Sequence, residues 1–244
     1  MASPVEDIAA VFWHSAGGRT KFGSPVAIDR AVPRALPAAV VRIDGLNTDH
    51  VQSFLARIGA EPWVGTAPRG LRGCLIADAG SALILVDGSD PEDEQRVTVA
   101  HETAHLLRHY LIPREQAVTA FGPGIVAVLD RSRPPTPGER FSSALRDVPI
   151  EPFRHAMARS DAGLTPAVAR MEEEADDLAV ELLAPWRDIK SLELPTPEDI
   201  SSKFGLPRYI SVRLASMAAP SKTTSGVVGL FDNTRCRRSE GSLE

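Results

Sequence analysis

The stretch VTVAHETAH, residues 97–105, constrains this chain more than any other, because it sets two histidines four positions apart with a glutamate beside the first. In an α-helix, residues four apart differ in direction by about 40°, so His101 and His105 can aim both imidazoles at one ion, with Glu102 next to them. The surrounding sequence favours that helix. Asp90 is placed to cap it, Pro91 suits the first helical position and Asp93 lies three residues past the cap. The spacing predicts a helix to about Leu111, with Val97, Ala100, Ala104, Leu107 and Leu111 as one apolar stripe and both histidines on its border. Immediately upstream, LRGCLIA and ALILVDG flank the turn residues DAG and predict a β-hairpin that leads into the histidine helix.

Zinc takes nitrogen ligands at about 2.0–2.1 Å, and a catalytic site keeps three protein ligands with water in the open position. Bound zinc lowers the pKa of that water toward about 7, and a neighbouring carboxylate can take its proton and later protonate a leaving amine. The expected chemistry is therefore peptide-bond hydrolysis, with His101 and His105 as metal ligands and Glu102 as the catalytic base. Manganese or iron would also be accepted by imidazole and carboxylate ligands. Five-residue matches arise by chance, and it is the capped helix after a hairpin that gives this one weight. His109 points about 40° beyond His105 in a regular helix and is expected to be exposed or to stand behind the ligands, not to be a ligand. A metzincin would need Gly at 108 and His at 111, where this chain has Arg108 and Leu111.

The third ligand is then a glutamate from a later helix. Thr165 and Pro166 offer a helix start, Pro185 a stop, and Val168, Met171, Ala175, Leu178, Ala179 and Leu182 an apolar stripe between them. Of the acids in this helix, periodicity narrows the choice to Glu172 and Glu174, which sit near the two borders of the stripe, and does not choose between them.

The rest of the chain predicts an α+β fold, mainly helical: a zincin-like helix pair with a small β-sheet and a C-terminal helix-turn-helix-like module. An N-terminal helix and arm are expected over 1–30, a metallopeptidase domain over 31–190, and the terminal module with a polar tail over 191–244. Pro4 to His14 reads as a short helix, and Asp49 to Ile58 as an amphipathic one. GGRTK lacks the ending of a phosphate loop. From 112 to 164 the periodicity fails amid GPG and RSRPPTPGER, which predicts a Pro-rich insertion or lid. TPED at 196–199 starts a helix pair, Ile200 to Phe204 and Arg208 to Met217, joined by GLP. Lys203, Arg208 and Arg213 there raise a DNA-binding regulator as the alternative, but Glu198 and Asp199 offset them, and direct DNA binding is not expected. A metal-dependent scaffold that binds without cutting is a further alternative; retention of Glu102 speaks against it. A formal charge of −5 gives no chain-wide attraction to nucleic acid or anionic membrane, and 43% hydrophobic residues suffice for a core. The two cysteines, Cys74 and Cys236, do not suggest a disulfide framework, and no export signal or membrane span is read, so a cytoplasmic protein is expected. Ala82 to Asp87 reads as an edge strand able to hold an extended peptide. Tyr110, His155 and Tyr209 are candidates for stabilising an oxyanion.

QRVTVAHETAHLLRH at 95–109 and EADDLAVELLAP at 174–185 resemble the motifs of the ImmA/IrrE family of metallopeptidases. The strand pair before the histidine helix is similar too, and the likeness covers roughly residues 37–110 and 170–217. The second motif opens on a glutamate that is the family's expected third ligand, which the resemblance assigns to Glu174. Val97, Ala104 and Leu178 depart from the family's usual Phe, Gly and Phe. The 69 positions from His105 to Glu174 exceed the family's usual spacing. Asp177 lies near the place from which an Asp orients a zinc-bound histidine in related glutamate zincins. The resemblance implies an intracellular zinc protease of narrow specificity whose partner is a helix-turn-helix repressor, cut to induce stress-response or mobile-element genes.

Overall fold

A computed structural model describes residues 3–57, 69–146, 148, 150, 155–158, 165–193 and 195–219. Ile58, Cys236, the polar tail and the side chain of His155 lie outside the described residues. The predicted hairpin is its organising element. Strands β2 (Leu71–Asp78) and β3 (Ser81–Asp87) pair antiparallel from Asp78↔Ser81 to Gly73↔Val86. Ala79 and Gly80 turn the chain with φ of 46° and 79°. Two consecutive left-handed residues are what a two-residue turn needs to match the strand twist.

The other side of β3 is taken by β1 (Ala38–Ile43), which pairs with it in parallel. A short strand β4 (His155–Ala158) pairs antiparallel with β2, giving the order β1-β3-β2-β4. Ala82 to Asp87 is thus an interior strand, contrary to the edge expected from sequence. β1 supplies the partner, and its AAVVRI carries a weak strand signal because it follows closely on Pro33 and Pro37. Both faces of the hairpin are covered, which is why β2 is buried almost continuously instead of alternating. On one face Leu46, Val51, Leu55, Leu71 and Cys74 close under α3 (Thr48–Arg57). On the other, Leu75 and Ile84 join the main core.

That core is built around α4 (Glu92–His105) and α8 (Pro166–Leu183), backed by α1 (Pro4–Ser15) and α2 (Ile28–Ala35). Phe12, Ile28, Leu106, Leu178 and Leu182 are among its fully buried side chains. The start of α4 differs from the expectation. Its N-cap is Pro91, with no side-chain cap. Instead the Gln95 side-chain amide donates to the carbonyls of Gly88 at 2.9 Å and Asp90 at 2.7 Å, tying the hairpin exit to the first helical turn. The acids Glu92, Asp93 and Glu94 complement the positive end of the helix. Nor does the helix end at Leu111: at His105 it passes into a π-helical turn (Leu106–Leu111) and continues as α5 (Ile112–Phe121).

Much of the segment expected as an irregular insertion is helical. Besides α5 it holds α6 (Val126–Leu129) and α7 (Pro137–Arg146), and Ala117, Ile125, Val128 and Ile150 form a small core of their own. Gly122, Pro123 and the prolines at 134, 135 and 137 cut these helices too short for an apolar stripe to register. Residues 151–154 and 159–164 of this segment lie outside the described residues.

After Pro185, α9 (Trp186–Lys190) leads to α10 (Pro197–Phe204) and α11 (Arg208–Ala218). Thr196 and Asp199 form a capping box, and Gly205 closes α10 with a left-handed φ of 64°. Ile200, Phe204, Leu206, Ile210 and Leu214 sit in the same core as α4 and α8. The architecture is mixed α+β and mainly helical. Among the described residues no helix is long and apolar enough to cross a membrane.

Candidate metal centre

α4 and α8 lie against each other with Ala100, Ala104, Ala175 and Ala179 buried, and small residues let two helices approach closely. Histidines at the edge of such a contact are sealed from water: His101 is 1% exposed and His105 0%. Their Nε2 atoms stand 3.0 Å apart. Glu172 Oε2 of α8 lies 3.2 Å from His101 Nε2 and 3.6 Å from His105 Nε2. Among the described residues these three form the one group whose ligand atoms gather within 4.8 Å as a metal site requires.

Glu174, the third ligand implied by the family likeness, is not in that group. Two residues along a helix is a rotation of about 200°, so Glu172 and Glu174 leave α8 on opposite sides of its apolar stripe. The border facing the histidines is Glu172's. Glu174 instead accepts from Arg108 Nε at 2.8 Å and Arg170 Nε at 3.2 Å, and the Arg108 bond, against partial burial, holds its carboxyl down at about 2. Asp177, expected near the metal ligands, is exposed. Asp176, four residues past Glu172, holds His101 Nδ1 at 2.9 Å.

The electrostatics favour a cation. Burial alone would depress His101, but its hydrogen bonds to Asp176 and Glu172 and the nearby Glu102 carboxylate outweigh it and lift the imidazole to about 10. Burial pushes His105 down to about 4, against the pull of Glu172. Two buried imidazole nitrogens and a carboxylate converging between α4 and α8, with Asp176 and Glu102 close by, fit a divalent metal.

Glu102 is 0% exposed and belongs to the same helix as both histidines. It packs against β2 at Gly73, where an added Cβ would stand 2.9 Å from Glu102 Oε1 and 2.5 Å from Thr98 Cγ2. Gly73 is therefore the residue that lets the glutamate lie flat against the sheet. The neighbouring Cys74 thiol is buried, and burial together with the Glu102 charge pushes its pKa up, which makes it unreactive.

The remaining candidates are tied elsewhere. The Tyr110 hydroxyl accepts from Gly80 N at 2.8 Å and fastens the hairpin turn, and Tyr209 donates to Glu94 at 3.3 Å. Arg208 pairs with Glu198 at 2.6 Å, and Lys203 Nζ lies 5.4 Å from the centre of the Phe204 ring. Glu172 was legible as one of two choices, and Asp176 follows from it by helical spacing. Gly73 carried no signal beyond being a glycine within a strand. No protein-family model, no curated protein and no solved structure matches this chain.

Proposed function

We propose that the protein is a zinc-dependent endopeptidase in which His101, His105 and Glu172 hold the metal and Glu102 is the catalytic base. One observation carries this reading: two imidazole nitrogens of one buried helix converge with a carboxylate from α8, while the buried Glu102 of the same helix is close enough for its charge to act on His101. A divalent ion held by these three residues would supply Lewis acidity and make water a stronger acid near neutral pH. Glu102 would take the proton of the attacking water at its carboxylate as the water oxygen bonds the carbonyl carbon, and return it to the amine nitrogen as the C–N bond breaks. Asp176 fixes the His101 ring by accepting its Nδ1 proton, which leaves Nε2 as the ligand atom. Zinc is the ion this donor set favours; manganese and iron remain chemically acceptable.

The substrate reading comes from the likeness of QRVTVAHETAHLLRH and EADDLAVELLAP to the ImmA/IrrE motifs: a helix-turn-helix repressor, cut inside the cytoplasm to release stress-response or mobile-element genes. A purely structural metal would close its fourth position with another side chain and would need no buried base beside it. The test is incubation of the purified protein, with and without zinc, against the helix-turn-helix repressor encoded nearest its gene. Metal-dependent cleavage that disappears in Glu102→Gln is expected. A stable complex with neither protein cutting would overturn the peptidase reading in favour of a metal-dependent scaffold.

A further inference from the structure

The π-helical turn directly after His105 builds an unusual contact. In a regular helix His109 would overshoot His105 by about 40°, but a turn closed by i→i+5 bonds advances less per residue and brings it back into line. The amide of Ile112 bonds the carbonyl of Leu107, five residues earlier, as such a turn requires. His109 Nδ1 lies 2.9 Å from His105 Nδ1, with ring centres 4.9 Å apart. On its far side His109 Nε2 stands 3.5 Å from Glu174 Oε2, and Glu174 is itself anchored by Arg108 and Arg170.

Proton placement makes this a directed chain. Two facing nitrogens 2.9 Å apart need one hydrogen between them. If His105 offers Nε2 to a metal, its Nδ1 carries the hydrogen and donates to His109 Nδ1. His109 then keeps its own hydrogen on Nε2, the nitrogen turned to the Glu174 carboxylate. His105 is thereby left in one tautomer, with His109 against its back and the Glu174 carboxylate facing the outer nitrogen of His109 at ion-pair distance.

We infer that His109 is a positioning residue for the metal centre: through the π-helical turn it locks the tautomer and ring orientation of His105, with Glu174 as its anchor. The inference rests on the metal-site reading above. It gives Glu174 a role behind the ligands, and it pairs with Asp176 so that each metal-facing imidazole has its own orienting partner. Such outer partners are worth about 10–100-fold in metal affinity.

The test is zinc affinity by competition with a chromophoric chelator, together with the visible spectrum of the cobalt-loaded protein, on wild type, His109→Leu, His109→Asn and Glu174→Gln. Asn can present its Oδ1 near the place of the histidine Nδ1, whereas Leu offers only bulk. His109→Leu should bind one zinc about 10–100-fold more weakly with shifted cobalt bands, and His109→Asn should restore both. Glu174→Gln, which leaves the packing in place, should weaken zinc binding in the same direction. Wild-type affinity and spectrum in His109→Leu and Glu174→Gln would overturn the positioning role while leaving the metal site standing, as would a His109→Asn variant as weak as His109→Leu. Failure of the wild type to bind zinc at all would overturn the site reading, and the positioning role with it.

Discussion

Replacing Gly73 by alanine adds one carbon at the point where the sheet meets α4. That carbon would stand 2.5 Å from Thr98 Cγ2, 2.9 Å from Glu102 Oε1 and 3.3 Å from Glu102 Cγ, against ordinary contacts of 3.4–4 Å. The strand cannot back away, because Gly73 is paired with Val86 on one side and Met157 on the other. Relief must come from Thr98 and Glu102, which are 2% and 0% exposed and packed on every side. Overpacking of this kind costs about 1–3 kcal/mol. For a chain of this size, each kcal/mol lowers the melting temperature by about 2–4 °C, so a fall of about 2–12 °C is expected. The larger effect is on turnover, since moving a reacting group by about 1 Å costs about 100-fold. Zinc affinity should not change, because Glu102 is not one of the three metal-holding residues. Calorimetric melting, zinc titration and peptide hydrolysis measured on the same preparation separate the three effects. Adding Thr98→Ser removes the closest clash but not the Glu102 contact, so it should recover stability without activity. Wild-type melting and wild-type turnover in Gly73→Ala would refute the argument that this glycine seats Glu102.

Further outcomes follow from the same geometry. Glu172→Gln should abolish stoichiometric zinc binding, whereas Glu174→Gln should still bind one zinc; titration of the two variants side by side decides between them, and equal losses would contradict the assignment. Glu102→Gln should hold zinc as wild type does and lose about 10²–10⁴ in turnover, which single-turnover hydrolysis would read. Because His101 in the metal-free site keeps its proton up to about 10, an ion binding at neutral pH must expel that proton. Affinity should therefore rise about tenfold per pH unit between about pH 6 and 8 and fall on the acid side, with about one proton released in calorimetry across buffers of differing ionisation enthalpy. A pH-independent affinity would show that His101 is not the proton-bearing ligand.

The parts of the site that could be read from sequence are those set by neighbours along the chain. His101, Glu102 and His105 share one helix, so their mutual placement needs only the helical repeat. The hairpin was legible because DAG separates two runs of the right length. The choice between Glu172 and Glu174 was not, because both sit about equally far from the centre of the apolar stripe. Which border faces the histidines depends on how α8 docks against α4, a tertiary fact. The π-helical turn has no side-chain signature, so a regular-helix reading leaves open whether His109 is exposed or stands behind the ligands. β1 was hidden by the prolines before it, and its pairing turned an expected edge strand into an interior one.

The measurement that bears most directly on the central claim is a crystal structure of the zinc-loaded protein with anomalous data at the zinc edge. One peak within bonding distance of His101 Nε2, His105 Nε2 and the Glu172 carboxylate, with Glu174 still held by Arg108, is the predicted result. No peak between α4 and α8, or a peak ligated by Glu174 in place of Glu172, would contradict it.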